Sequence, residues 1–304
     1  MKKGTYIRIV TVLSFAIFIY CLYFLLTSDA SLLNPKGTIA QEQYNLLKFA
    51  VILSMVVILP VFFLTFLFAY KYREGRDAKY KPNWDNNNKL EIIWWGIPII
   101  IILILSVVAW NSSHSLDPFK KISSNQEPLR VQVVATQWRW LFIYPDENIA
   151  SLNFLKIPTN RPVNFEITSD APMNSFWIPD LGGQIYAMSG MNTRLSLQSS
   201  HDGVYRGSSA NISGEGFSDM NFNVYSVNEQ DFSSWATSLK DSNIEGLSQA
   251  VYNQISEKST DKTDQEFKLS DKNLFNYVLH KSMGMKNIED STMQMSTDMK
   301  GENY

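Results

Sequence analysis

The chain has 304 residues, 45% of them hydrophobic, and its 27 Lys and Arg against 29 Asp and Glu leave a net charge of −2. That balance gives no sign of a nucleic-acid partner, which needs a concentrated basic face. A single cysteine, Cys21, excludes an intramolecular disulfide.

The apolar residues crowd into the first third of the chain. Residues 1–30 hold Lys2, Lys3 and an apolar stretch from Ile7 to Leu26. This reads either as a secretory signal or as an extra membrane-crossing segment. Residues 31–111 predict a transmembrane hairpin, with helices over about 46–70 and 91–110. Its apolar runs, Phe49 to Tyr70 and Ile92 to Trp110, carry no charge and match a hydrocarbon core of ~30 Å. The connecting loop, 71–90, carries Lys71, Arg73, Arg76, Lys79, Lys81 and Lys89 against Glu74, Asp77 and Asp85. An excess of Lys and Arg in a short loop marks the cytoplasmic side, so everything after Trp110 faces the periplasm.

After a polar linker from Asn111 to Glu127, the period changes to two. Val131 and Val133 alternate with polar residues, as do Val163, Phe165 and Ile167, then Leu195 and Leu197, then Phe222 and Val224. Strands with one buried face have this pattern, and turn residues such as Gly182-Gly183 and Asp202-Gly203 separate them. Residues 125–230 therefore predict an all-β sandwich or barrel. From Asp231 to Tyr304 the chain is polar and partly helical, with a disordered, Met-rich end from Met293.

A two-helix hairpin followed by a periplasmic β-domain resembles subunit II of the haem–copper respiratory oxidases, the cytochrome c oxidase subunit II superfamily. Three stretches carry the resemblance: Asn88-Lys89-Leu90-Glu91-Ile92-Ile93-Trp94-Trp95-Gly96-Ile97-Pro98, Gln137-Trp138-Arg139-Trp140, and Asn174-Ser175-Phe176-Trp177-Ile178-Pro179 followed by Gly203-Val204-Tyr205-Arg206-Gly207. It implies a cupredoxin-like Greek-key domain, which in cytochrome c oxidases holds a binuclear copper centre. The family's ligands are a histidine, then Cys-x3-Cys-x3-His-x2-Met, with a carbonyl two residues after the first cysteine. Thiolate, imidazole and thioether suit copper. Here the first histidine position is Asn174, the cysteine positions are Ser209 and Ser213, the carbonyl position is Asn211 and the second histidine position is Phe217. Only Met220 is kept, and it reads as a core residue.

Loss of this centre resembles the quinol-oxidising, cytochrome bo branch. So do Leu33-Asn34-Pro35-Lys36-Gly37, Asp77-Ala78-Lys79-Tyr80 and Phe142-Ile143-Tyr144-Pro145. The branch implies a subunit of a proton-translocating ubiquinol oxidase in the bacterial inner membrane, without a complete active site in this chain. Its partners are the lipid bilayer, quinol reached through the complex, the other subunits, and subunit I, which carries the haems and a copper ion. No metal or cofactor is expected here. Alternatives are a cytochrome c oxidase subunit II with a degenerate copper site and a membrane-anchored assembly or receptor protein. Relatives in the branch often carry a lipidated cysteine where Ser28 stands. Cys21 follows Ile19-Tyr20 where a small residue is wanted, which argues against lipidation.

For Glu91 the resemblance implies the entrance of a proton pathway. The local alternative is a capping box from Asn88 to Glu91, with the acid favouring the helix dipole. Trp138 and Trp140 read as packing or as contacts to subunit I. His114, His201 and His280 lie too far apart in sequence to suggest a metal cluster.

Overall fold

The computed structural model describes residues 12–13, 16–20, 23–24, 27, 30–73 and 87–281. Cys21, Ser28, most of the connecting loop and the Met-rich end lie outside them.

Helix α1 runs Thr38–Lys71 and helix α2 runs Asn88–Ser115, each with an internal proline, Pro60 and Pro98. Both are long and apolar enough to cross a membrane, and no side chain of α2 is buried. Ile92, Trp94, Trp95 and Phe66 point outward, each more than 60% exposed. The helices exceed the expected 46–70 and 91–110. Hydropathy reports only the part inside lipid, whereas the first turns of α1 are held by the β-domain. Lys36 N and Gly37 N donate to Asp180 O at 2.8 and 3.0 Å, Ala40 N donates to Leu181 O at 3.1 Å, and Ser200 N donates to Lys36 O at 2.8 Å. A Cβ on Gly37 would lie 2.7 Å from Leu181 Cα, so only glycine lets the two backbones meet. At the far end, α2 continues past Trp110, and the linker begins at Leu116 rather than Asn111.

The β-domain is a two-sheet sandwich. The larger sheet is built from β1 (Leu129–Ala135), β2 (Trp140–Tyr144), β3 (Ile149–Leu152), β5 (Val163–Ser169), β8 (Thr193–Leu197), β11 (Gly246–Leu247) and β12 (Gln265–Leu269). Their order is β11-β12-β3-β2-β1-β5-β8. The smaller holds β4 (Phe154–Pro158), β6 (Asn174–Trp177), β7 (Ile185–Ala187), β9 (Gly203–Ser209) and β10 (Asn221–Val227), in the order β4-β10-β9-β6-β7. The parallel pairs β1–β5 and β4–β10 mark chain crossings between non-neighbouring strands. Aromatic rings fill the space between sheets: Phe176 and Phe222 stack at 5.6 Å, with Trp140, Phe142 and Phe165 around them. This is the cupredoxin-like sandwich that the resemblance implies.

The folded domain does not stop at residue 230. Helices α3 (Glu229–Asp241), α4 (Gln249–Ile255) and α5 (Leu274–Lys281) follow, and β12 pairs antiparallel with β3. A second core covers the outer face of the larger sheet, joining Val134, Leu141 and Ile143 to Tyr252, Phe267, Leu274, Phe275 and Val278. Asp170 ties this layer down. It accepts from the Tyr252 hydroxyl at 2.8 Å and pairs with Lys281 at 2.7 Å. Burial, and then the Asp170 charge, push the Tyr252 hydroxyl well above its ordinary pKa.

Candidate functional site

The loop that follows β9 carries the positions where the family pattern places copper ligands. Asn174 is buried, and its amide nitrogen donates to Pro172 O at 2.7 Å. Ser209 Oγ lies 3.1 Å from Asn174 Oδ1 and 3.2 Å from the Asn211 carbonyl, two acceptors that share its one proton. That carbonyl is the one the family pattern would aim at copper. Asn211 Nδ2 donates to Met173 O at 2.8 Å, and Ser209 N donates to Met220 O at 3.1 Å. Met220 is 1% exposed and belongs to the main core. Asn174, Ser209, Asn211 and Met220 are thus brought together by hydrogen bonds. Ser213 Oγ is buried without a hydrogen-bond partner, and Phe217 opens a short 3₁₀ turn, Phe217–Asp219.

These residues do not fit a binuclear copper centre. No thiolate or imidazole is present at the pattern positions, and Phe217 has no ligating atom. Among the described residues no group of three or more His, Cys, Asp and Glu side chains is placed to hold a metal ion. His114 turns back to Trp110 O at 2.8 Å, while His201 offers its carbonyl to the Tyr205 hydroxyl.

Trp138 closes the site from the β1–β2 turn. Its φ of 76° is rare for a bulky side chain, and its indole N–H donates to Ser213 O at 3.2 Å. The ring packs against Gly216, where a Cβ would come within 2.2 Å of ring atoms. The Gly216 backbone itself, with φ −86°, suits any residue, so the constraint is purely one of space. Gly216→Ala should therefore lower the stability of the domain by about 1–3 kcal/mol, the usual range for overpacking. A thermal melt of the detergent-solubilised chain followed by near-ultraviolet circular dichroism checks this. Trp140 is fully buried against Phe176 and Phe222, a core residue rather than an outward contact.

Two residues have roles that only the fold reveals. Arg139, 7% exposed between the two tryptophans, donates to the carbonyl of Ile255 at the end of α4 and to Glu257 O at 3.4 Å. Burial draws its guanidinium below the ordinary value, and the charge of Asp261 pulls it back up. Its signal was a charge set in an otherwise aromatic run. The other is Asn87, the N-cap of α2, whose side chain accepts from Lys89 N at 3.1 Å and Leu90 N at 3.2 Å. The capping box from Asn88 to Glu91 is accordingly corrected. The cap sits one residue earlier, so Glu91 falls one residue past the box position and donates only its backbone N–H, to Asn87 O at 3.0 Å. Its side chain is exposed in the first turn of α2.

Residues 147–227 match the family model described as cytochrome c oxidase subunit II, periplasmic domain. The chain is 41% identical over 254 residues to cytochrome bo(3) ubiquinol oxidase subunit 2 of Pseudomonas aeruginosa, covering 83% of this chain and 76% of that protein. To the subunit of the same name from Buchnera aphidicola subsp. Schizaphis graminum it is 44% identical over 256 residues, covering 84% and 88%. Among solved structures, the periplasmic domain of subunit II of cytochrome oxidase from Bradyrhizobium japonicum is 20% identical, with a TM-score of 0.36, over 39% of this chain and 97% of that one. A membrane-anchored chain with a periplasmic β-domain and this degree of identity over most of its length belongs to the ubiquinol oxidase subunit 2 family, one component of an oxygen-reducing respiratory complex.

Proposed function

We propose that the chain is the second subunit of a proton-translocating quinol:oxygen oxidoreductase in the bacterial inner membrane. It anchors and shapes the complex and offers Glu91 as the entrance of a proton path. Subunit I carries the haems and a copper ion, and electrons pass from quinol to oxygen there. The observation that carries this reading is the rebuilt copper loop, in which Ser209 lies against Asn174 and Asn211 and the pattern positions hold no thiolate or imidazole for an electron relay. A chain without a relay has no use for a soluble cytochrome donor. The carboxylate of Glu91 supports the second role, since Asn87 does the capping and Glu91 is left free for proton exchange.

The complex, purified in detergent through this chain, should show haem absorption and consume oxygen with quinol. It should lack a binuclear copper signal in electron paramagnetic resonance and leave reduced cytochrome c unoxidised. Rapid oxidation of cytochrome c together with that signal would overturn the proposal.

A further inference from the structure

The segment between α4 and β12, residues 256–264, crosses the loops that surround the emptied ligand positions. It meets three of them. On the β1–β2 turn, Arg139 donates to the carbonyls of Ile255 and Glu257, Ser259 N donates to Gln137 O at 3.4 Å, and the Lys258 ammonium lies 4.8 Å from the centre of the Trp138 ring. On the β3–β4 turn, buried Asn153, held at φ 65°, donates to Asp261 O at 3.1 Å and Thr263 O at 3.2 Å. On the ligand-position loop itself, Lys258 pairs with Glu215 at 3.6 Å and Lys262 with Asp219 at 2.9 Å. The two lysines and the two acids share one spacing, four residues, so the pairs register the two segments side by side.

The segment is itself stiffened. Asp261 accepts from Thr263 N at 2.9 Å and Thr263 Oγ1 at 2.6 Å, and Asp261 N donates to Ser259 Oγ at 3.1 Å. Those two bonds from Thr263 also hold the Asp261 carboxyl below its ordinary pKa. The stretch of loop it covers, around residues 212–214, is open. Ile212 is 80% exposed, Gly214 sits at φ 113° and Ser213 Oγ is unpartnered.

We propose that residues 256–264 form a strap that replaces metal bridging as the cross-link of this loop. Where a copper centre would supply coordinate bonds, only hydrogen bonds join the first histidine position to the loop after β9, Ser209 Oγ to Asn174 Oδ1 and Asn211 Nδ2 to Met173 O. The strap ties the same loop to the sandwich from outside, through buried Arg139 and Asn153 and the paired charges. The proposal rests on the reading of the loop as built without copper. It predicts a local quantity, loop opening, that turnover does not report.

Hydrogen–deuterium exchange of the intact complex tests it. In Lys258→Glu/Lys262→Glu, the amides of residues 211–219 should exchange about tenfold faster, the order expected for two exposed pairs turned repulsive, while β9 and β10 keep their protection. Adding Glu215→Lys and Asp219→Lys, which restores both pairs with the signs exchanged, should recover the original rates. Arg139→Gln, assessed in the same way, should free residues 256–264 together with 211–219. Unchanged exchange at 211–219 in the double reversal, or no recovery in the fourfold swap, would overturn the strap. So would faster exchange spread evenly over the whole sandwich. Loss of folding in Arg139→Gln would leave the decision to the lysine variants, which alter only exposed side chains.

Discussion

Glutamine at position 91 should slow quinol-driven oxygen reduction by the assembled complex about tenfold while leaving its haem content unchanged. Removing a proton-transfer group costs on the order of a hundredfold, and water at an exposed helix mouth offsets part of that. Glutamine keeps the size and polarity of Glu91 but cannot alternate between charge states. The structural alternative has a smaller and different signature. Glu91 stands in the first turn of α2, where a negative charge favours the helix dipole by about 0.3–1 kcal/mol. Since Asn87 provides the cap, Asn87→Ala should cost the helix about 0.5–2 kcal/mol and leave turnover near normal. Comparing the two variants for oxygen uptake and for thermal stability separates proton delivery from helix termination. Full turnover in Glu91→Gln with haem intact would make Glu91 a dipole residue only.

The combined replacement Asn174→His, Ser209→Cys, Ser213→Cys and Phe217→His should give a domain that turns purple in the presence of copper. Two thiolates, two imidazoles, the Asn211 carbonyl and the Met220 thioether then stand in the order that a binuclear centre needs, and soft ligands hold copper tightly. The backbone supports the change. Asn174 and Ser209 already lie within hydrogen-bond reach of each other, and the carbonyl of Asn211 already faces the Ser209 side chain. Visible absorption and electron paramagnetic resonance at two coppers per chain would report the site. A colourless protein, or one that binds copper without that spectrum, would mean that the turn at Phe217 has moved away from ligating geometry. Single replacements should give no stable centre, because each leaves the coppers without most of their thiolate and imidazole donors.

Much of this architecture was legible in the residues. The charge-free runs of α1 and α2 gave their membrane portions, and the alternation of Val163, Phe165 and Ile167 gave β5 with its buried and half-buried faces. β2 was not legible in that way. Trp140 to Tyr144 are buried on both faces, inward against Phe176 and Phe222 and outward against the C-terminal layer, so no alternation survives. The strand β12 was hidden for the opposite reason, since Gln265, Glu266 and Lys268 are polar and only Phe267 and Leu269 reach the core. The ligand positions could be read by spacing alone. What stands in their place could not, because Ser209 joining Asn174, or Arg139 reaching Ile255, are contacts between residues far apart in sequence. The cap of α2 was misplaced by one residue, as Asn87 and Asn88 offer the same chemistry in adjacent positions.

The junction at Gly37 has a mechanical consequence. Helix α1 enters the β-domain without a flexible joint, because its first residues are bonded on both sides to the turns around Asp180 and Ser200. A helix whose apolar length differs from the local hydrocarbon thickness adjusts by tilting. With no hinge between mast and head, any such tilt swings the whole periplasmic domain through the same angle, with the bilayer surface as fulcrum. Membrane thickness thereby becomes a variable that sets how the head meets whatever lies beside it. A side chain at position 37, which would meet the Leu181 backbone at 2.7 Å, would force the two apart and leave the head freer to find its own orientation.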